Sequence, residues 1–496
     1  MKETVSKNES LFLIACIALG WLAEISFMHG RIGVSYPLFI LGFYGVFFLR
    51  YRLDFHHRRI GMLMMVAIWM LASTFVFYDN DAFHTLNILI IPILVFSHIV
   101  LITRPNTYTW ETPKFIAQLL VTFNKGIQHS GAFIVKLFQQ LFKEMNPRVA
   151  HVMKGIIIGL LIGVPLLALI TGLLMSADDV FYDVVLHVPQ FILQINVLEY
   201  GFRLTFVVTA SLLFFGIFQV LKHDSAILQN EMKLPSIISW NNLSAMTILI
   251  LLNIVYVLFV AIQFKYFFSG KLIAGMTYAT YARRGFVELV AVMMINWTIL
   301  LYFFKKIQTE SRAAKIVLQL LYSLLILTSG VMLASAFQRL SLYEAAYGFT
   351  ISRVLAHAFM IYLMIIFAYT FIRVWIERIS LIHFYLIVGL IFYTGLNVFN
   401  VEQFIVDKNF ERYKATGKID IYYLSSLSYT GWNGLIALYE EDQSLVEVED
   451  ELIYMKRQVN NEYRRSWQSF NFAREKFKDN IEQLDLPEKS SWEREE

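Results

Sequence analysis

Mostly apolar stretches recur along the chain at residues 10–29, 34–49, 60–78, 85–103, 152–175, 198–221, 241–264, 286–304, 315–337, 354–374 and 381–398. Each is close to the ~20 residues that a helix needs to cross the hydrocarbon core of a bilayer. The pattern therefore predicts an all-α, polytopic integral membrane protein with about eleven transmembrane helices. The composition agrees, since 57% of the 496 residues are hydrophobic and 16% are charged, which excludes an ordinary soluble enzyme. The first apolar run has no small-residue cleavage site and others follow at once, so it is read as a retained helix. Cys16 is the one cysteine, and one thiol builds neither a disulfide framework nor a cysteine metal site.

Lysine and arginine set the expected orientation, because cytoplasmic loops carry the excess. With the N-terminus in the cytoplasm, the inner loops and helix ends hold 21 of these residues and the outer ones 8. An odd number of spans then leaves the C-terminal tail outside. From residue 399 onward the tail carries 13 Lys/Arg and 20 Asp/Glu, while residues 1–398 carry 29 and 18. Neither part offers the basic surface of a nucleic-acid-binding protein. The predicted organisation is 1–103, four transmembrane helices; 104–151, a cytoplasmic amphipathic connector; 152–398, seven further spans; 399–486, an extracytoplasmic helical tail; and 487–496, a disordered end.

In the connector, Phe115, Leu119, Phe123 and Phe133, Leu137, Leu141 recur at helical spacing with lysines between them. That pattern suits basic amphipathic helices on the inner leaflet. Pro92 and Pro165 lie within spans and are expected to bend them. In the tail, Asn400 with Gln403 reads as a capping box, Gly417 as a helix stop and Asp420 as a helix cap. Stripes at Leu445, Val448, Leu452, Met455, Val459 and at Trp467, Phe470, Arg474, Phe477, Ile481, Leu484 predict two antiparallel helices.

Candidate chemistry gathers at the expected outer face. Tyr281, Arg284 and Glu288 share a helical face beside Arg283, and Glu288 one turn inside the membrane boundary calls for a partner. Arg339, Tyr343 and Tyr347 fall at intervals of four, with Glu344 beside them; Gly348 is placed to end that helix and Thr350 to cap the next. Arg353, in a first helical turn, opposes the helix dipole and is expected to pair with Glu344, Glu288 or a bound anion. Asp178, Asp179 and Asp183 lie in an outer loop, and Glu199 with Arg203 opens the following span. Ser176, Asp178 and His187 are close in sequence, but a nucleophilic triad is recognised by geometry. Glu24, His98, Asn253, Asn296, His357 and Asn397 are polar positions within spans; the His and Asn residues suit interhelical hydrogen bonds, and Glu24, His98 and His357 suit a proton or ion route. No phosphate loop, nucleophile elbow or metal-binding helix motif occurs, so neither a cofactor nor a metal is expected.

The segments "YATYARRGFVELV", "LYEAAYGFTISR", "SADDVF" and "NFERYKATGKIDIYYLSSLS" resemble the motifs of a bacterial integral-membrane family, domain of unknown function 4173, close to family 4153. The resemblance spans roughly residues 170–480, and its specificity lies in the four motifs occurring in order. It implies many helices with an extracytoplasmic helical tail and supplies no activity. The chain departs from the family pattern at Asn400, Val401 and Glu402, where the family carries Asn-Pro-Asp. It departs again at Tyr429, Thr430, Gly431 and Trp432, where the family has an Asp-Ala-x-Pro-like turn.

Three functions follow from the sequence. The first is a non-enzymatic protein of the bacterial cytoplasmic membrane whose outer face binds a ligand, a lipid or an envelope protein in a sensing, scaffolding or regulatory role. The second is a transporter or flippase of an envelope component. The third is a glycosyl or headgroup transferase using Asp79 and Asp81 of "YDNDAF" or Asp178 and Asp179.

Overall fold

The computed structural model describes residues 7–51, 56–105, 110–141, 171–178, 197–223, 242–267, 286–307, 311–461 and 466–487, with scattered positions of 152–181. Among these the fold is all-α, with sixteen α-helices, one 3₁₀ turn and no strand. Among the described residues eight helices are long and apolar enough to cross a membrane: α1 (Lys7–Met28), α3 (Arg58–Phe77), α4 (Asp81–Ile102), α6 (Val197–His223), α7 (Asn242–Phe267), α9 (Arg312–Tyr347), α10 (Ile351–Trp375) and α11 (Leu381–Val398). Two shorter apolar helices, α2 (Ser35–Arg50) and α8 (Phe286–Lys306), join them. Ten of the apolar stretches in the sequence thus coincide with helices. The remaining one, 152–175 with Pro165, lies largely outside the described residues, as does the end at 488–496. α4 runs on through Pro92 without ending.

The chain forms two compact units. The first comprises residues 1–77, 87–232 and 464–471 and holds α1 to α3, most of α4, α5 (Pro113–Leu141) and α6. α6 is its centre, packed on one side by α1 and on the other by α5. Both crossings rest on small residues, which let backbones approach closely. A Cβ at Gly20 of α1 would strike Ser211 and the Val207 carbonyl, and one at Gly216 would strike Gly126 and Ser130 of α5. Ser130 Oγ donates to the Leu212 carbonyl at 2.6 Å across that seam. The connector predicted from sequence is therefore, over 113–141, one helix packed along α6.

The second unit comprises residues 78–86, 233–463 and 472–496. Within it α9 packs against α7, α8 and α10. A polar ladder crosses these helices: Asn253 Nδ2 donates to the Leu321 carbonyl at 3.0 Å, Tyr256 OH to Asn296 Oδ1 at 2.8 Å, and Asn296 Nδ2 to Ser329 Oγ at 2.9 Å. Both asparagines act as interhelical hydrogen-bond partners, which an apolar environment favours. At 36 residues, α9 is about 54 Å long, well beyond the ~30 Å hydrocarbon core.

The tail consists of α12 (Val401–Thr416), α13 (Ile421–Ser426), α14 (Tyr429–Glu441), α15 (Val446–Asn461) and α16 (Phe472–Gln483). Its start follows the sequence signals. Asn400 Oδ1 accepts from the Gln403 amide at 3.1 Å, Gly417 ends α12 at φ +67°, and Asp420 Oδ1 accepts from the Tyr423 amide at 2.9 Å. Val401, Ile405, Leu435, Leu438, Val448, Leu452, Met455, Phe477 and Ile481 form its core together with Phe83 from the start of α4. The second predicted stripe is α-helical only from Phe472: Trp467–Ser469 is a 3₁₀ turn, and Trp467 and Phe470 are exposed. This short segment belongs to the first unit, where the Phe470 carbonyl accepts from the Val34 amide at 3.1 Å and Asn471 Nδ2 donates to the Phe75 carbonyl at 2.9 Å.

Candidate functional site

The end of α9 explains the arginine at the start of α10. A helix leaves the carbonyls of its last turn without intrahelical partners. Here the Gly348 amide bonds to the Glu344 carbonyl at 2.7 Å, and guanidinium groups take the rest. Arg412 of α12 donates through Nε to the Ala345 carbonyl at 3.3 Å and through Nη2 to that of Ala346 at 2.8 Å. Arg353 Nη1 donates to the carbonyls of Tyr347, at 3.4 Å, and Gly348. Its guanidinium also lies 4.3 Å from the centre of the Tyr343 ring. Arg353 thus meets α9's own C-terminal carbonyls and not the carboxylate of Glu344, and their partial negative charge suits two cations.

Asn409 completes the corner. Its Oδ1 accepts from the Phe349 amide and its Nδ2 donates to the Phe349 carbonyl, both at 2.9 Å. The Tyr423 hydroxyl accepts from the Ile351 amide at 2.7 Å. Gly348 sits at φ +83°, and an added Cβ would come within 2.6 Å of Asn409 Oδ1, so only glycine fits this turn. The tail is therefore fastened to the α9–α10 connection by three side chains, mainly through backbone groups.

The neighbouring predicted residues are engaged as well. Glu344, buried, lies 3.0 Å from His357 Nδ1, while His357 Nε2 faces the Phe337 carbonyl at 3.2 Å. Arg339, also buried, donates to Gln263 Oε1 at 3.1 Å. Tyr343 and Tyr347 pack ring against ring, with centres 5.1 Å apart. Glu288 opens α8 with an exposed side chain. In the first unit, Asp178 is exposed and its Oδ1 accepts from the Phe181 amide at 2.8 Å, as a turn cap does. Asp179, Asp183, His187, Tyr281, Arg283 and Arg284 lie outside the described residues. Glu24 and His98 are also in contact with neighbours: Glu24 Oε1 is 3.4 Å from Arg203 Nη1, and His98 Nδ1 is 2.9 Å from the Tyr44 hydroxyl.

Beneath the tail, an ionisable cluster forms that the sequence did not single out as one site. Glu402, Asp79 and Arg474 are all buried. Arg474 Nη2 lies 3.8 Å from Asp79 Oδ2, its guanidinium 5.2 Å from the Tyr429 ring centre, and His84 Nδ1 4.0 Å from Asp79 Oδ1. Ser428 donates to Glu402 Oε2. Burial pushes the Glu402 carboxyl up to about 7, with Asp79 and Asp81 acting in the same direction against the hydrogen bonds from Ser428 and Thr430. Among the described residues no group of three or more His, Cys, Asp and Glu is arranged to hold a metal ion.

A groove of about 700 Å³ opens between α12, α14 and α16 on the tail itself. Val406, Phe410 and Ile436 give it apolar walls, and Asp407, Glu411, Lys414, Glu440 and Lys476 line it with both signs of charge. Lys414 is held by Glu441 at 2.9 Å and Asn480 donates to Asn433 at 2.7 Å, so parts of the lining are fixed in place.

The sequence pattern of the family described as Domain of unknown function (DUF4153) matches residues 65–438, and the chain belongs to that family. This is the family named beside 4173 by the sequence motifs. No curated protein and no solved structure matches the chain.

Proposed function

Starting from a family without an assigned activity, we propose that this is a non-enzymatic, multi-pass protein of the bacterial cytoplasmic membrane. Its N-terminus lies in the cytoplasm, and its extracytoplasmic tail binds a segment of a partner envelope protein in a scaffolding or regulatory role. The groove carries this reading: it is open, has apolar walls with charges of both signs, and lies on a domain fastened to the α9–α10 connection. Such a lining suits a polypeptide, which offers side chains of both kinds, better than an acyl chain or a simple anion. Arg339, Glu344 and Arg353 already have partners within the fold, which favours the groove on the tail over these residues as the contact surface. The same pairing weakens the other readings, because Asn253 and Asn296 bond between helices and Asp79 lies beside Arg474.

Photo-crosslinking residues placed at Gln403 and Gln483 in living cells test it. One discrete protein adduct at both positions, absent from the same residue placed at Tyr454 on α15, is the expected result. Ala437→Trp, at an exposed position in the groove, should abolish that adduct while the protein level is unchanged. Equal labelling at groove and control positions would overturn the proposal.

A further inference from the structure

The first unit contains a second space of a different kind. A cleft of about 530 Å³ lies among α1, α2, α4, α5 and α6. Ile91, Val95 and Ile99 of α4 form one wall, and Phe206, Phe214 and Phe218 of α6 another. Hydroxyls at Tyr36 and Thr209 are the polar side-chain groups of the lining. Water needs two to four polar partners and finds too few here. An empty cavity becomes costlier as its volume grows, and an apolar cavity of ~150 Å³ already takes up benzene. Hydrocarbon is therefore the occupant that fits, and among the walls α1, α4 and α6 are long and apolar enough to cross a membrane, with the shorter apolar α2 beside them.

Size narrows the choice. From Phe206 to Phe218 the cleft runs about 18 Å along α6, at ~1.5 Å per residue. Scaled from benzene, the volume holds roughly twenty carbons, which is one fatty acyl chain. Charge marks one end. Phe218 of the lining precedes Gln219, whose Oε1 accepts from Arg50 at 2.8 Å.

We propose that this cleft binds one acyl chain of an anionic phospholipid, with the headgroup phosphate beside Arg50 at the Phe218 end. The site is independent of the groove on the tail.

The test uses the full-length protein in phosphatidylethanolamine vesicles containing phosphatidylglycerol with a photoreactive diazirine in its acyl chain. Peptides covering Ile91–Ile99 and Phe206–Phe218 should be labelled several-fold more than the exposed face of α7 around Ile254 and Leu258. Ala210→Trp should bring that ratio close to one without changing the Tm. Thr209→Leu, a smaller change, should lower it in part and serves as the measure if the tryptophan variant fails to fold. Equal labelling of cleft and α7 in the wild type would overturn the proposal. So would cross-links from the Ile93→Cys variant to residues 152–175, since the chain itself would then fill the cleft.

Discussion

Replacing Asn409 with alanine removes both hydrogen bonds that hold the backbone of Phe349 to α12. Asn409 is 7% exposed, so its amide is removed from a site that water barely reaches. Leaving a buried donor or acceptor without a partner costs about 1–3 kcal/mol each. Because Phe349 is itself half-buried, the lower part of that range applies, and the pair should be worth roughly 2–3 kcal/mol. Against the ~5–15 kcal/mol that stabilises a typical domain, this is large enough to loosen the tail from the α9–α10 connection. The assay is hydrogen exchange on the protein in nanodiscs, followed at Phe349 and Ile351. An opening equilibrium shifted by 2–3 kcal/mol should speed exchange there by roughly 30- to 150-fold, while the α7–α9 core should remain unchanged. Asn409→Asp keeps an acceptor for the Phe349 amide but presents a carboxylate to the Phe349 carbonyl, so it should be as damaging as alanine at neutral pH and milder in acid. Exchange at Phe349 unaltered in Asn409→Ala would refute the view that this side chain fastens the tail.

Other perturbations test neighbouring parts of the structure. The Glu402 carboxyl stands at about 7 when folded against 4.5 as its ordinary value, so the folded state favours the protonated form. Stability from this group is complete below about pH 4.5 and is lost as pH rises through about 7, a fall of about 3 kcal/mol. Melting curves at pH 5 and pH 8 should show it in the wild type, and Glu402→Gln should remove most of it. Gly348→Ala places a Cβ at φ +83° and within 2.6 Å of Asn409 Oδ1, so it should cost more than the ~1 kcal/mol usual for a left-handed glycine. Part of that penalty should vanish in the Asn409→Ala background, a coupling that a double-mutant cycle in thermal unfolding measures. Phe477 is fully buried in the tail core, and Phe477→Ala should lower tail stability by about 3–5 kcal/mol, read from denaturant unfolding.

What the sequence disclosed and what it withheld differ in range. The apolar runs, the Asn400–Gln403 cap, the Gly417 stop and the Asp420 cap are local, with cause and effect within a few residues. Periodicity likewise identified Val448, Leu452, Met455, Phe477 and Ile481 as core positions, because a buried stripe repeats at the helical period. The partner of Arg353 was not legible in the same way. A carboxylate is visible as a letter, but a helix-end carbonyl belongs to every residue type, and only the fold decides which carbonyls lack partners. The same holds for Arg412, whose acceptors Ala345 and Ala346 carry no polar side chain at all. Asp79 and Glu402 are more than three hundred positions apart, and nothing in the sequence joins the Asp79–Asp81 pair to Glu402; packing of the α4 start into the tail core buries both Asp79 and Glu402. The motif around Tyr343 to Arg353 therefore has a structural cause: a long helix ends there, its carbonyls need cations, and one of those cations is supplied by the tail. That requirement links the charges around Arg353 to the placement of the tail, so replacements at Arg353 or Arg412 should be read first as changes in tail docking and only then as changes in binding.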